Sequence, residues 1–221
     1  MAVHIQSLDP TDSAAVEKIA AELLSPAETL RANTMAPALR LEFLASRLAQ
    51  RDFAATLLGV PASKLQAAYE CPDCGSGPDI AHGRPGYLLD GGPAPLALSA
   101  SRSSGWVLFA AVVHPEPGLR VGADLENAAG TEFTGFDDVA LTVRERRHLD
   151  ALDPAGRAQE RARLWARKEA WLKMTGEGLR VAPDSLDVLD RAGLWDLELP
   201  SSAGGRDLPA GLLAALAISA R

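Results

Sequence analysis

Trp106-Val-Leu-Phe-Ala-Ala-Val-Val113, His114-Pro-Glu-Pro-Gly118 and Arg120-Val-Gly-Ala-Asp-Leu-Glu126 read in succession as a buried strand, a tight turn and a second strand. The first run is continuously apolar, as a strand covered on both faces is, and the Pro- and Gly-rich pentapeptide cannot continue it. The third segment alternates apolar and polar residues, the period-2 signature of a strand with two different faces. Working outward, residues 12–24 and 38–58 carry helical spacing. In the second, Leu39, Phe43, Leu44, Leu48, Phe53 and Leu57 share a stripe, with Arg40, Arg47 and Arg51 between them and Gly59 and Pro61 as the stop. Residues 71–95 are rich in Gly, Pro, Asp and Ser and read as loop with at most one short strand. Downstream, a helical region over 142–175 breaks at Asp153-Pro154 and Gly176, and 186–218 reads as short strands between turns. Helix and strand mix on both sides of the 114–118 turn, so the expected class is α+β, with halves at 1–117 and 118–221.

Bulk composition narrows the function classes. The chain has 221 residues, 47% hydrophobic and 23% charged, enough to build a core without metal or disulfide staples. Two cysteines give no disulfide framework, residues 1–12 lack the pattern of a signal peptide, and the apolar stretch 211–220 is too short to span a bilayer. The expected location is cytoplasmic. A net charge of −7 argues against general nucleic-acid binding. Positive residues nevertheless gather at Arg144, Arg146, Arg147, Arg157, Arg161, Arg163, Arg167, Lys168 and Lys173, interleaved with acids. That segment suits an anionic ligand or acidic partner; charge alone favours a solvated helix laced with ion pairs.

Two constellations could carry chemistry. Asp124 and Glu126 are two apart in a strand, so both carboxylates leave one face. Magnesium relieves such repulsion and joins carboxylates to substrate phosphates; an acidic edge strand is the plainer alternative. On the helix, Trp165, Glu169 and Lys173 stack at i, i+4 and i+8, with Lys168 beside Glu169. The alternative there is an ordinary core helix with its charges in water.

Taken together, a strand bearing Asp-X-Glu, about forty residues, and a helix reading Trp-X-X-Lys-Glu-X-X-X-Lys that closes on Gly-X-Gly-Leu resemble the 4′-phosphopantetheinyl transferase superfamily, in particular its larger surfactin-synthetase-type branch. Gly83-Arg84-Pro85 resembles the family's Gly-Lys/Arg-Pro segment, and Ser101-Arg102-Ser103 its Ser-His-Ser segment leading into a strand. The resemblance implies two similar α+β halves related by a pseudo-twofold, with coenzyme A in the cleft between them. It implies Asp124, Glu126 and Glu169 as ligands of Mg2+ (or Mn2+), and Lys168 and Lys173 as contacts of the pyrophosphate. It places Arg40, Gly83, Arg84, Pro85, Ser101 and Arg102 toward the nucleotide. Arg102 replaces the family's histidine, keeping a cation for phosphate and changing its reach.

The implied reaction moves the 4′-phosphopantetheine arm of coenzyme A onto a serine of an apo acyl or peptidyl carrier protein, releasing 3′,5′-ADP. Glu169 is the candidate base, with Lys168 or Glu145 behind it, and polyketide or nonribosomal peptide carriers are the inclination. A monomer suffices if one chain carries both halves. Two alternatives share the residues: a non-catalytic module binding coenzyme A or a carrier, and a pyrophosphatase using water. Cys71-Pro-Asp-Cys74 with His82 looks like half a zinc knuckle, but a structural zinc commonly takes four ligands and no second cysteine pair exists, so these read as loop cysteines.

Overall fold

The computed structural model describes residues 1–9, 12–77 and 79–219. Helix and strand are mixed throughout, as an α+β chain requires. The chain divides into two compact units, Met1–Ala100 with Gly105–Pro115, and Ser101–Ser104 with Glu116–Arg221.

The first unit contains, in chain order, β1 (Ala2–Ser7), α1 (Ser13–Leu23), α2 (Pro26–Asn33), α3 (Pro37–Leu58), β2 (Leu65–Ala67), β3 (Tyr69–Cys71), β4 (Gly75–Gly77), β5 (Tyr87–Leu89), β6 (Gly92–Pro93), β7 (Leu96–Ser103, whose last residues group with the second unit) and β8 (Trp106–Val113). β1 pairs antiparallel with β8 from Ala2↔Ala111 to Ser7↔Trp106, and the sheet order is β1-β8-β7. Val107 to Ala111 are buried, which explains the unbroken apolar run. α3 begins on Pro37 and ends at Gly59, whose left-handed φ of 66° only glycine adopts cheaply. Its Phe43, Leu44, Ala54 and Ala55 are buried. Residues 71–95 are more structured than their composition suggests. β3 and β4 form a hairpin, and β5 joins β2 and β6 in a small sheet. Strands of two or three residues are too short to show alternation in sequence.

The second unit contains β9 (Arg120–Asn127), α4 (Phe136–Ala140), α5 (Val143–Asp150), α6 (Pro154–Thr175), β10 (Leu194–Leu197), β11 (Ser202–Ala203), β12 (Arg206–Asp207) and β13 (Leu212–Ser219). The sheet order is β10-β13-β9, antiparallel throughout, with Asp124 opposite Ala215 and Glu126 opposite Leu213. The apolar stretch 211–220 supplies β13 as far as Ser219; Ala220 lies outside the described residues. α5 opens on a capping box of Thr142 and Glu145, and α6 is capped by Asp153 and ended by Gly176 in the left-handed region. Leu164, Ala166, Ala170, Leu172 and Met174 of α6 are buried in one cluster with Ala215 and Ala217 of β13. Among the described residues, no helix is long and apolar enough to cross a membrane.

Gly122 sets how closely α6 approaches β9. A Cβ there would run into the Ala170 carbonyl oxygen and lie 2.5 Å from the Met174 nitrogen. Backbone meets backbone at this crossing, so the helix can settle onto the strand face that also bears Asp124 and Glu126, two and four residues further on.

Candidate active site

The strand and the helix meet in one charged cluster. Asp124 is buried. Its Oδ1 accepts hydrogen bonds from the Lys173 ammonium at 2.5 Å and the Ser101 hydroxyl at 2.6 Å. Lys173 Nζ also donates to the Ala123 carbonyl at 3.3 Å. The second oxygen, Oδ2, is buried and has no hydrogen-bond partner among the described residues. A carboxylate oxygen removed from water and given nothing in return is costly, and such an atom calls for an explanation.

Glu126 and Glu169 supply one. Burial, then the neighbouring Asp124 charge, pushes the Glu126 carboxyl up to about 7, with Glu169 adding to the rise and Lys173 and a hydrogen bond from Trp165 opposing it. Glu169 is raised for the same reasons, first burial and then Asp124, against Lys173. Three carboxylates therefore feel one another in a partly dry place with one ammonium among them. This is the donor set that a hard divalent cation with oxygen ligands satisfies. Asp124, Glu126 and Glu169 offer oxygen donors of the type Mg2+ takes, and Asp124 Oδ2 has a lone pair available.

The structure brings together Asp124, Glu126, Glu169, Lys173 and Ser101 from among the expected site residues. Ser101, expected toward the nucleotide, donates to Asp124 instead. Its neighbour Arg102 is exposed.

Lys168 is a correction. It is fully buried and pairs with the equally buried Glu145 at 2.7 Å. It also donates to the carbonyls of Pro183, at 2.8 Å, and Leu186. Burial pulls the Lys168 ammonium below its ordinary range, while Glu145 works the other way. Glu145 is spoken for as well, accepting from the backbone of Thr142 at 2.8 Å and Val188 at 2.9 Å. Adjacent residues on a helix lie about 100° apart, so Lys168 cannot share the direction of Glu169. Neither Lys168 nor Glu145 reaches the carboxylate cluster as a base or a phosphate contact; both hold the unit together.

The remaining expected contacts lie in the first unit. Arg40 on α3 is tied to Glu17 and to Asn33 Oδ1, the latter at 3.3 Å. Arg84 is 3.9 Å from Glu70, and its backbone is bonded to the same residue. Gly83 is exposed and Pro85 half-buried. Sequence reasoning placed Trp165 on the correct helix face and missed that it serves Glu126. The Glu145 partner of Lys168 was signalled by Thr142-Val-Arg-Glu145, a capping box that points Glu145 back into the fold.

The basic segment is largely neutralised within the unit. Arg144 pairs with Asp187 and Asp190, Arg146 with Asp138, Arg161 with Asp137, Arg163 with Glu160 and Asp196, and Arg167 with Asp196.

Residues 120–195, which include Asp124, Glu126, Glu169 and Lys173, match the model of the 4′-phosphopantetheinyl transferase superfamily. The 4′-phosphopantetheinyl transferase 1 of Fusarium mangiferae is 29% identical over 146 residues, covering 57% of this chain and 47% of that protein. The chain thus spans about half the length of that relative.

Proposed function

We propose that this chain, a member of the 4′-phosphopantetheinyl transferase superfamily, moves the 4′-phosphopantetheine arm of coenzyme A onto a serine of an apo carrier protein. The observation that carries the reading is the Lys173 ammonium bonded to Asp124, whose second, buried oxygen has no hydrogen-bond partner among the described residues, while the Asp124 charge raises both Glu126 and Glu169. A divalent ion held by these carboxylates supplies Lewis-acid stabilisation of the pyrophosphate.

In the reaction, the carrier serine oxygen bonds to the β-phosphorus of coenzyme A. The bond from that phosphorus to the bridging oxygen breaks, and 3′,5′-ADP leaves with the electron pair. The chain contributes mainly position and charge. Lys173, held by Asp124 and the Ala123 carbonyl, is the proposed cation for phosphoryl charge. Glu169 is the proposed acceptor of the serine proton, carried on the same α6 face as Lys173. Ser101 fixes the Asp124 carboxylate, and Arg102, exposed beside it, is proposed as the cation for the 3′-phosphate. Acyl and peptidyl carriers of polyketide or nonribosomal peptide assembly, a cytoplasmic location and a working monomer belong to this proposal.

Incubation with coenzyme A and Mg2+, with and without an apo carrier domain, tests it. Transfer gives a carrier heavier by the phosphopantetheine arm. Consumption of coenzyme A without a carrier identifies a hydrolase, and an unmodified carrier with intact coenzyme A identifies a binding module; either result overturns the reading.

A further inference from the structure

The first unit brings together three side chains that the proposed transfer does not use. Cys71 ends β3 and Cys74 lies in the β3–β4 turn. Beyond the hairpin the chain returns alongside β3: Glu70 N–H donates to Arg84 O at 3.0 Å, and Arg84 N–H to Glu70 O at 2.8 Å. Gly83 makes this return possible. Its φ is 88°, and a Cβ there would strike the Glu70 carbonyl oxygen and stand 3.1 Å from Cys71 Cα. His82, one residue earlier, is thereby delivered next to the hairpin. The Cys71 Sγ, the Cys74 Sγ and a His82 ring nitrogen all lie within 4.8 Å of one another.

We propose that Cys71, Cys74 and His82 bind a zinc ion, with water in the fourth position. Two thiolates and an imidazole form the soft donor set that selects Zn2+ over Mg2+ or Ca2+. With bonds of about 2.0–2.3 Å, a tetrahedral site has ligand–ligand edges of roughly 3.4–3.8 Å, so closing onto the metal asks for an adjustment of about an ångström. The hairpin also favours the ligating form of one thiol. Backbone N–H groups of Asp73 and Cys74 point at the Cys71 sulfur, as they would at a thiolate. Cys71 is buried and Cys74 exposed, so the site has an inner wall and a solvent side from which metal and water can enter. The sequence offers Cys71, Cys74 and His82 as one short of four ligands; that the Glu70–Arg84 bridge draws the three together is a property of the fold.

The test uses the full chain, purified without chelators. Elemental analysis by mass spectrometry is expected to find about one zinc per chain. Cobalt substitution is expected to give thiolate-to-cobalt charge-transfer absorption. Cys74→Ser and His82→Gln should each cut bound zinc to below about a tenth of an equivalent and abolish the cobalt signal, with the far-ultraviolet dichroism unchanged. Asp124→Asn should keep both. A wild-type chain that carries no zinc and takes up no cobalt overturns the proposal, as does full zinc in Cys74→Ser. A Cys71–Cys74 disulfide found by thiol titration of the purified chain overturns it too. None of these readouts involves coenzyme A or a carrier, so they stand apart from the transferase reading.

Discussion

Lys173 reaches across from α6 to Asp124 on β9, 2.5 Å from its Oδ1, and leaves Oδ2 of the same carboxylate buried and without a hydrogen-bond partner among the described residues. The pair is asymmetric in a useful way. The ammonium offsets part of the negative charge and fixes the carboxylate's orientation, while the second oxygen keeps its lone pairs for a ligand.

Carboxyls that raise one another are strained without a cation. Glu126→Gln removes a half-buried charge that Asp124 and Glu169 oppose. In metal-free buffer this variant should melt a few degrees higher than the wild type, about 1–2 kcal/mol at the usual conversion for a chain of this size. Adding Mg2+ and coenzyme A should reverse the order, because only the wild type gains ligand stabilisation. Differential scanning calorimetry in both buffers decides; a wild type that is already more stable without metal contradicts the account.

Lys168 is a structural residue, so its loss should read as instability. Lys168→Met leaves Glu145 charged and buried, which typically costs about 3–5 kcal/mol. Denaturant unfolding should show that loss, while kcat/KM measured well below the melting transition stays within about threefold of wild type. Lys168→Met combined with Glu145→Gln should recover part of the stability only, since Glu145 also accepts from Thr142 and Val188. A stable Lys168→Met with a hundredfold drop in kcat/KM would return Lys168 to the chemistry.

Gly122 admits α6 to the strand. Gly122→Ala should cost about 3 kcal/mol or more, because the obstacle is the helix backbone at Ala170 and Met174 and no side chain can yield. It should also weaken transfer through displacement of Glu169 and Lys173. Chemical denaturation together with a transfer assay checks both; an alanine tolerated without loss would mean that the close crossing does not position the site.

Association with an acidic carrier should depend only weakly on salt. Composition alone suggests a steering surface between Arg144 and Arg167, but Arg144, Arg146, Arg161, Arg163 and Arg167 each have an acidic partner within the unit. Neutralised cations steer little beyond a Debye length. Stopped-flow association between about 50 and 300 mM salt should show a shallow slope, and a steep one would indicate that these pairs open to the partner.

Local rules carried much of the second unit. Asp153-Pro154 and Gly176 mark the ends of α6, period 2 puts Asp124 and Glu126 on one face, and i, i+4, i+8 aligns Trp165, Glu169 and Lys173. Long-range facts were out of reach. Nothing in Ala2–Ser7 announces its pairing with β8, and the strands within 71–95 are too brief to alternate. Lys168 adjoins Glu169 along the chain, yet one step on a helix turns the side chain by about 100°, toward Glu145. The Ser101 bond to Asp124 joins residues 23 apart, which no local pattern encodes.

The most direct test counts the ion. Electron paramagnetic resonance of free Mn2+, titrated with the chain in the presence of coenzyme A, should report about one bound ion per wild-type chain and none for Asp124→Asn or Glu169→Gln. Mn2+ bound equally well by those variants, or by none of the proteins, would contradict the claim that Asp124, Glu126 and Glu169 hold a divalent cation.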